Sequence, residues 1–279
     1  MKLLKKQKPM RRVLLATLPC IAGSIYFFGW RSLAVITLSC LVALGCEYLF
    51  CRKRGEPVSE ACFVTAVLFA LVMPPTVPWH VVAIGVAFCI VFSKETFGGF
   101  GKNVFNPALS GRCFVYICFP VSLTAAWAPA AQGPFGALTR WDTVPSPDAV
   151  TSATPMALMK VGEFTPDTAD LFYGLFLGRI DGTMGVTSAL LILIGGMYLF
   201  YTKTANRSLI ITVVLVYAAL NQVFHMAGAE NIPGALPAVL GGGFLFGAFF
   251  MVTDPVSSAS TREGRIIYAA LIAICTFVI

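Results

Sequence analysis

An all-α protein that crosses a membrane several times is the fold class that this sequence predicts. Only 12% of its 279 residues are charged and 57% are hydrophobic, whereas about 25% of the residues in a soluble domain are charged. The hydrophobic residues also form long continuous blocks, not the stripes at 3.6-residue spacing that mark the buried face of a surface helix. Because about 20 apolar residues span the core of a bilayer, several of these blocks are long enough to be transmembrane helices.

Nine apolar blocks give nine predicted helices. The third and fourth blocks are short, and the linker between them, residues 73–78, contains three prolines. Such helix breakers are tolerated at membrane depth where the freed backbone groups face protein or a cavity. The predicted helices are 13–30, 32–51, 60–73, 79–93, 109–128, 186–201, 208–226, 236–253 and 265–279.

The first twelve residues form a basic tail that we expect to be cytoplasmic. They carry six of the twenty Lys and Arg residues. A basic start before an apolar run is also typical of a signal peptide, but no small-residue cleavage site follows the run here. A second apolar block begins directly after Arg31. These features favour a membrane anchor over a cleaved leader.

The loops differ in charge, and the difference predicts the orientation of the chain. With residues 1–12 inside, the cytoplasmic segments hold 16 of the 20 Lys and Arg residues and the outer segments hold 4. Lys and Arg are concentrated in the cytoplasmic loops of membrane proteins. This explains the net charge of +7 without a nucleic-acid partner. It also places the long polar region 129–185 at the outer face, where loops of such length are usually functional.

The predicted helices divide the chain into two membrane halves. Residues 13–128 form the first half, with five helices, and residues 186–279 form the second. Because Ile279 ends the sequence inside an apolar block, we expect the second half to be incomplete at its C-terminus. Two similar segments, 106–112 and 254–265, each precede an apolar block. They hint at an internal duplication of the kind found in inverted repeats.

Metal binding is not predicted. Nearly all of the nine Cys residues lie inside apolar blocks, and no Cys-x-x-Cys motif occurs. An iron–sulfur centre needs four converging thiolates, so we expect the cysteines to pack as small apolar side chains. His80 and His225 have no acidic or cysteine cluster beside them, which argues against a zinc site.

A glycine-rich turn at residues 97–108 carries two amides. It is not a phosphate-binding loop, because Asn103 stands where Ser or Thr is required and no strand precedes it. Asn103 and Asn106 are three residues apart, and on a helical turn they would share a face. Together they would offer donors and acceptors to a polar ring. The alternative is a re-entrant turn whose amides only cap neighbouring backbone.

A second segment, residues 148–156, places hydroxyl groups among small residues. Pro155 favours an extended backbone at Thr154, and the small neighbours leave its hydroxyl open to a modifying enzyme. Asp148 is a candidate to orient a metal-assisted transfer to that hydroxyl. The alternative interpretation is a small-residue linker without chemistry.

Four acidic residues lie at the edges of apolar blocks. Ionisable groups near the membrane core are costly, and their presence indicates function. Glu60 precedes the broken third helix and Asp254 ends another block, so both are candidates for an ion path or a quinone site. The alternative is that each caps a helix end. The four acids are Glu47, Glu60, Glu95 and Asp254.

Three segments of the sequence together resemble the signature regions of the NqrB/RnfD family. They are 94–112, 151–154 and 250–257, and they occur in the family's order and at compatible spacing. The likeness runs from about residue 57 to the end of the chain. Segments 94–95 and 108–114 are more similar to the NqrB branch, whereas the short N-terminus is more similar to RnfD.

The resemblance implies a covalent flavin. Members of the family carry FMN joined by a phosphoester to the last Thr of a D-x-x-[ST]-G-A-T motif, which corresponds here to Thr154. A flavin transferase that uses FAD makes this bond outside the cytoplasm, in agreement with the orientation expected from charge. The remaining motif positions correspond to Asp148, Thr151, Ser152 and Ala153, with Ser152 in place of the usual glycine.

The resemblance also implies a second flavin and a fold. In the NqrB branch a non-covalent riboflavin lies near the glycine turn, which makes Asn103 and Asn106 its candidate contacts. The family fold is similar to the ten-helix bundle of urea transporters, built from two inverted halves. This chain would supply about nine of those helices.

The function implied is that of a membrane subunit of the Na⁺-translocating NADH:quinone oxidoreductase, a six-subunit complex of the bacterial inner membrane. Electrons would enter from a second FMN-bearing subunit, pass to the flavin on Thr154, and continue to riboflavin and quinone, coupled to ion transport. RnfD, from the ferredoxin:NAD⁺ Rnf complex, is the alternative within the family. A channel or transporter of similar fold without a redox role, and a structural subunit without flavin, are alternatives from other classes.

Overall fold

Helices make up most of the structure. The computed structural model describes residues 4–124, 127–131, 133, 135–143, 169–180, 182–229, 232–241 and 243–279. In these ranges two short strands pair in parallel, with Leu4 opposite Val58. The elements are β1 (Leu4–Lys5), α1 (Lys8–Phe28), α2 (Trp30–Arg54), β2 (Val58–Ser59), α3 (Ala61–Leu71), α4 (Trp79–Ile90), the π-helix π1 (Val91–Glu95), α5 (Pro107–Cys118), α6 (Pro120–Thr124), α7 (Ala169–Leu177), α8 (Ala189–Tyr201), α9 (Arg207–Met226), α10 (Ala235–Leu240), α11 (Phe244–Phe246), the π-helix π2 (Gly247–Met251) and α12 (Arg262–Val278).

Three helices in the described part of the chain are long and apolar enough to cross a membrane, namely α1, α2 and α9. The helices α3 and α8 are apolar but shorter. The predicted class, a helical membrane protein, is confirmed to this extent. The ten-helix count of the family and its urea-transporter-like inverted repeat stay predictions.

A single glycine joins α1 to α2. Gly29 has a φ of 89°, in the left-handed region that glycine adopts without steric penalty. An added side chain there would collide with the carbonyl oxygens of Arg140 and Trp141. The Arg31 amide donates to the Trp141 carbonyl oxygen at 2.7 Å. The segment 135–143 therefore packs closely over this helix junction.

Two of the predicted continuous helices are broken. The block 109–128 divides at Phe119, because Pro120 disfavours a helical conformation in the residue before it and has no amide hydrogen to donate. The block 236–253 divides between α10 and α11, where glycines at 241 and 243 lose more conformational entropy in a helix than other residues do. The prediction of unbroken helices at these two places was wrong.

Helix α7 lies inside the region 129–185, where no helix was predicted. It is an apolar helix of nine residues. Because about 20 apolar residues are needed to span a bilayer, a segment of this length gives no transmembrane signal. The region 129–185 is therefore not composed of loop alone.

Both segments of the suspected duplication follow a π-helix. The first π-helix leads into the glycine turn before Asn106, and the second leads into the turn at Asp254. Isolated π-helical turns occur frequently at functional sites. Both segments thus have a π-helix, then a turn, then an Asn-Pro or Asp-Pro pair. This shared order supports the internal duplication that the sequence suggested.

The hydrophobic core of the described residues has three clusters, and π2 belongs to the two larger ones. The larger of these two joins helices α1 to α5 with α8, and Phe250 of π2 is buried in it. The smaller of these two lies between α9 and α12, and Ala248 of π2 is buried there. The π-helix π2 therefore lies where these two clusters meet.

Candidate functional site

A cavity lies between the glycine turn that follows π1 and the turn that follows π2. Its walls come from the start of α1, from α3 and α8, from the glycine turn, and from the turn after π2. It holds about 750 Å³ of empty space, part of which is open to solvent. Most of the lining is apolar. The polar side chains at its wall are Thr65, Lys94, Asn103, Asn106, Thr204, Thr253 and Asp254.

Asn106 connects the start of α5 with the end of π2. Its Oδ1 accepts hydrogen bonds from the amides of Ala108 at 3.0 Å and Leu109 at 3.4 Å, and so caps α5. Its Nδ2 donates to the carbonyl oxygen of Met251, the last residue of π2, at 3.2 Å. A carboxamide forms about four hydrogen bonds, so one N–H of Asn106 remains for a ligand.

Asn103 keeps more of its hydrogen-bonding capacity. Its side chain is almost fully buried, and Nδ2 donates to the Phe105 carbonyl oxygen at 3.0 Å. No hydrogen bond from a described residue reaches Oδ1. Residues 102–106 are not helical, so the two amides do not share a helical turn, and both bond neighbouring backbone as in the alternative of a turn with capping amides. The loop nevertheless brings both amides to the cavity wall.

Asp254 shapes its own turn at the opposite wall. One carboxylate oxygen accepts from the Val256 amide at 3.1 Å, and the other accepts from the Ser257 hydroxyl at 3.0 Å. Asp commonly forms such a turn with the backbone two residues ahead. A carboxylate accepts about four hydrogen bonds, so Asp254 retains capacity for a ligand or a cation.

Glu60 is placed differently from Asp254. Its carboxylate accepts hydrogen bonds from the Arg11 guanidinium at 2.6 to 3.1 Å and from the Gln7 amide at 2.7 Å. The Arg11 side chain is the main reason that the pKa of this carboxyl is lowered. Glu60 is not among the residues described as lining the cavity. Glu60 therefore binds the N-terminal segment through Gln7 and Arg11. The structure does not bring Glu60 together with Asp254.

Two ion pairs formed by Lys94 and Glu95 lie beside the cavity, and the sequence did not reveal them as pairs. The Lys94 Nζ lies 2.5 Å from an oxygen of Glu47, and both side chains are almost completely buried. Arg54 pairs with one oxygen of Glu95, whose other oxygen is buried without a partner among the described residues. The signal in the sequence was the Lys94–Glu95 dipeptide at the end of an apolar block, but the partners on α2 are more than 40 residues away.

The cavity suits a flat ring with polar edges. Cofactor sites are mostly apolar with a few polar groups that fix orientation, and here Leu68 and Phe250 contribute apolar wall. The free oxygen of Asn103 can accept from an imide N–H, and the remaining amide hydrogens can donate to ring carbonyl groups. The residues present therefore fit the riboflavin that the sequence led us to expect.

The predicted FMN attachment residue lies outside the described residues. The same holds for the whole motif, which consists of Asp148, Thr151, Ser152, Ala153 and Thr154. Its assignment stays a prediction from sequence.

These features define a class: helical membrane proteins in which the turns after two π-helices meet at a mostly apolar cavity with a few polar groups. The family comparison is more specific. The model of the family described as NQR2, RnfD, RnfE matches residues 4–279, and the chain belongs to this family. The prediction made from the three signature segments is confirmed.

Curated relatives agree with this membership. The NqrB subunit of the Na(+)-translocating NADH-quinone reductase from Ectopseudomonas mendocina (strain ymp) is 36% identical over 267 residues, 93% of this chain and 61% of the relative. The protein of the same name from Pseudomonas aeruginosa (strain LESB58) is 37% identical over 270 residues, with the same coverage. That from Chromohalobacter salexigens is 36% identical over 266 residues, 93% of this chain and 59% of the relative. The chain thus spans about three fifths of the length of these relatives.

Proposed function

We propose that this chain is a flavin-bearing membrane subunit of a Na⁺-translocating NADH:quinone oxidoreductase. The observation that carries the proposal is the cavity at the glycine turn, where Asn103 and Asn106 present free hydrogen-bonding groups beside apolar walls. The names of the relatives support the same complex. RnfD is the alternative within the family, whose model covers both branches.

The proposed electron path uses two flavins. FMN is joined by a phosphoester to Thr154, and the motif that supports this assignment lies within the residues matched by the family model. Riboflavin is held by Asn103 and Asn106. The flavins supply reversible electron transfer, and the protein supplies their position and tunes their potential. Electrons come from NADH through other subunits and leave to quinone.

The chain's own residues contribute orientation and charge. Asn106 ties the start of α5 to the end of π2, and Asn103 presents an acceptor to the ring edge. Of the two acidic candidates for the ion or quinone site, Asp254 lies at the cavity wall with spare capacity and Glu60 is occupied by Arg11. Asp254 is therefore the stronger candidate.

The setting of this function is the bacterial inner membrane. We place the N-terminus in the cytoplasm and the Thr154 region at the outer face, as the Lys and Arg distribution predicts. The partners are the other subunits of a six-subunit complex, including a second FMN-bearing subunit, together with membrane lipid and a flavin transferase.

Fluorescence of the denatured subunit tests the covalent flavin. We expect a fluorescent band when the subunit is produced with its complex and flavin transferase, and no band for Thr154→Ala. Thr165→Ala removes a hydroxyl that also precedes a proline but lies outside the motif, and it serves as the matched control, which should keep the band. A native subunit without fluorescence, as expected for a channel or a structural subunit, or a band that persists in Thr154→Ala, contradicts the proposal.

The riboflavin site is tested by extraction of non-covalent flavin. Asn103→Leu removes the free acceptor, so we expect the riboflavin released from the purified complex to fall severalfold while the covalent band is unchanged. Asn206→Leu, at the start of α9, is the control. Unchanged riboflavin in Asn103→Leu would contradict the assignment.

An activity assay distinguishes the Na⁺-translocating NADH:quinone oxidoreductase from the Rnf complex. Membranes that contain the complex should show quinone reduction by NADH that is stimulated by Na⁺. Ferredoxin-dependent reduction of NAD⁺ in its place would identify the Rnf alternative.

A further inference from the structure

A second cavity lies between two groups of helices. Helix α5 packs against α3 and α4, whereas α12 packs against α9, and both α5 and α12 contribute to the cavity wall. The cavity holds about 1710 Å³ of empty space, part of which is open, and this is more than twice the space in the first cavity. The two cavities share no lining residue among the described residues. The second cavity is therefore a separate site that the proposed riboflavin contacts do not use.

Arg112 is the only charged side chain among the described residues that line this cavity. It is half-buried, and its guanidinium forms no hydrogen bond or ion pair with any described residue. The buried basic side chains differ in this respect, since Lys94 pairs with Glu47 and Arg31 donates to the Val77 carbonyl oxygen. A guanidinium carries five N–H donors and a fixed positive charge, and such charges inside membrane proteins mark functional sites. Arg112 is thus available to an anion.

The position of Arg112 along α5 indicates the depth of that anion in the membrane. Helix α5 begins at Pro107, on the side that the Lys and Arg distribution assigns to the cytoplasm. Arg112 follows five residues later, which is about 7.5 Å along the helix axis. The side chains of a helix lean toward its N-terminus, and the long stem of Arg lets its charged group reach the polar interface. The guanidinium is therefore directed toward the level of the cytoplasmic lipid headgroups.

The other walls of the cavity favour a ligand with a long apolar part. Phe244 stacks on Tyr217 with 4.0 Å between the ring centroids, and Leu109, Val213 and Ile272 add aliphatic side chains. No carboxylate of a described residue lines the cavity, so the ammonium group of a zwitterionic headgroup would find no partner there. A free phosphate ion would lose its hydration against these walls, at a large cost in free energy. A ligand with one net negative charge and an apolar chain matches the lining best.

We propose that the second cavity binds an anionic phospholipid, with its phosphate on the guanidinium of Arg112 and an acyl chain along the apolar wall. Arg and phosphate form charge-assisted hydrogen bonds, which are frequently bidentate. The cytoplasmic leaflet carries anionic lipids, and basic pockets between transmembrane helices on that side bind their headgroups. The lipid fills the space between α5 and α12 and so joins the two groups of helices. This inference uses the orientation proposed above, but it does not depend on either flavin.

Native mass spectrometry of the whole purified complex counts the phosphatidylglycerol molecules that it retains. Arg112→Gln removes the charge, and we expect the loss of one phosphatidylglycerol for each copy of this chain. Arg112→Lys keeps the charge and should keep the lipid. Arg207→Gln is the control, because Arg207 is also assigned to the cytoplasmic side but bonds the Phe200 carbonyl oxygen and does not line the cavity. Its lipid count should equal that of the wild type.

A second pair of variants tests the position of the acyl chain. Ile272→Trp fills part of the apolar wall without a change in charge, so we expect it to lose the same phosphatidylglycerol as Arg112→Gln. Ile267 lies on the same helix, is 61% exposed and does not line the cavity. Ile267→Trp is therefore the matched control and should keep the lipid. An inorganic phosphate ion on Arg112 would not respond to either tryptophan.

Several results would overturn the inference. An unchanged lipid count in Arg112→Gln would show that Arg112 holds no phospholipid. An equal loss in Arg112→Gln and Arg207→Gln would reveal a general effect of surface charge and no specific site. A wild-type complex that retains inorganic phosphate or quinone in the cavity, and no phosphatidylglycerol, would identify a different ligand. If Arg112→Gln does not assemble, the tryptophan pair decides: loss of lipid in Ile272→Trp alone supports the inference, and equal counts in Ile272→Trp and Ile267→Trp contradict it.

Discussion

The side-chain amide of Asn106 forms hydrogen bonds with both α5 and π2. Its oxygen caps α5 and its nitrogen satisfies a carbonyl group of π2. A helix break at membrane depth leaves backbone groups that water cannot reach, and each must find a partner within the protein. The importance of this residue therefore lies in backbone hydrogen bonding as well as in any contact with a ligand.

Substitution of Asn106 should separate its two roles. Asn106→Ala loses the cap, for about 1 kcal/mol, and leaves the Met251 carbonyl oxygen unpaired, for about 1–3 kcal/mol more. Asn106→Ser keeps a capping oxygen and is too short to bond the Met251 carbonyl oxygen, so it loses only the second interaction. Asn206→Ala, which removes a cap on α9 with no bond to another helix, is the control. Thermal unfolding in detergent should rank Asn106→Ala as the least stable. Equal losses in Asn106→Ala and Asn206→Ala would show that the bond to Met251 contributes nothing.

The buried ion pair of Lys94 and Glu47 gives a second prediction about individual residues. Removing one partner leaves an unpaired buried charge, which costs about 3–5 kcal/mol. Removing both should cost much less than the sum of the single changes. Thermal unfolding of Lys94→Met, Glu47→Met and the double variant forms the required cycle. Additive losses would mean that the two side chains do not interact in the membrane.

Helix packing depends on glycines where two elements approach closely. Gly195 in α8 faces α1, and an added Cβ would overlap the Ala16 carbonyl oxygen. A Cβ added at Gly45 in α2 would lie in open space, with no atom of a neighbouring element within 4 Å. Both glycines lie inside helices, so they differ mainly in their surroundings.

Alanine at these two positions should therefore act in opposite directions. Gly195→Ala forces α1 and α8 apart and should cost about 1–3 kcal/mol. Gly45→Ala should be neutral or stabilising by about 0.5–1 kcal/mol, because Ala favours a helix more than Gly. Thermal unfolding in detergent measures both. A destabilised Gly45→Ala together with an unaffected Gly195→Ala would contradict the packing of α1 against α8.

The sequence predicted helices well where they are long and apolar. It placed α1, α2 and α9 within a few residues of their ends, because length and hydropathy decide such elements. It did not predict the break before Gly243 or the π-helices, because local backbone register depends on packing. Of the site, Asn103 and Asn106 were predicted, but the partners of Lys94 and Glu95 come from a distant helix that no local pattern reveals.

For the whole molecule, the distribution of Lys and Arg predicts the orientation. Alkaline phosphatase is active only outside the cytoplasm, so a fusion after residue 160 should be active and a fusion after residue 203 should be inactive. Fluorescent protein fusions at the same positions should show the reverse, as a control for expression. An active fusion at 203 would overturn the orientation and, with it, the location of flavin attachment.

The bond between Asn106 and Met251 also has a consequence for biosynthesis. The two residues are 145 positions apart, so Asn106 enters the bilayer well before Met251 leaves the ribosome. Until the later segment arrives, the donor of Asn106 has no backbone partner. When Met251 reaches the bilayer, its carbonyl oxygen can accept a hydrogen bond from the side chain of Asn106, which is already there. The early part of the chain thus acts as a template for the late part, and a nascent chain that is halted between the two residues should be a target for membrane quality-control proteases.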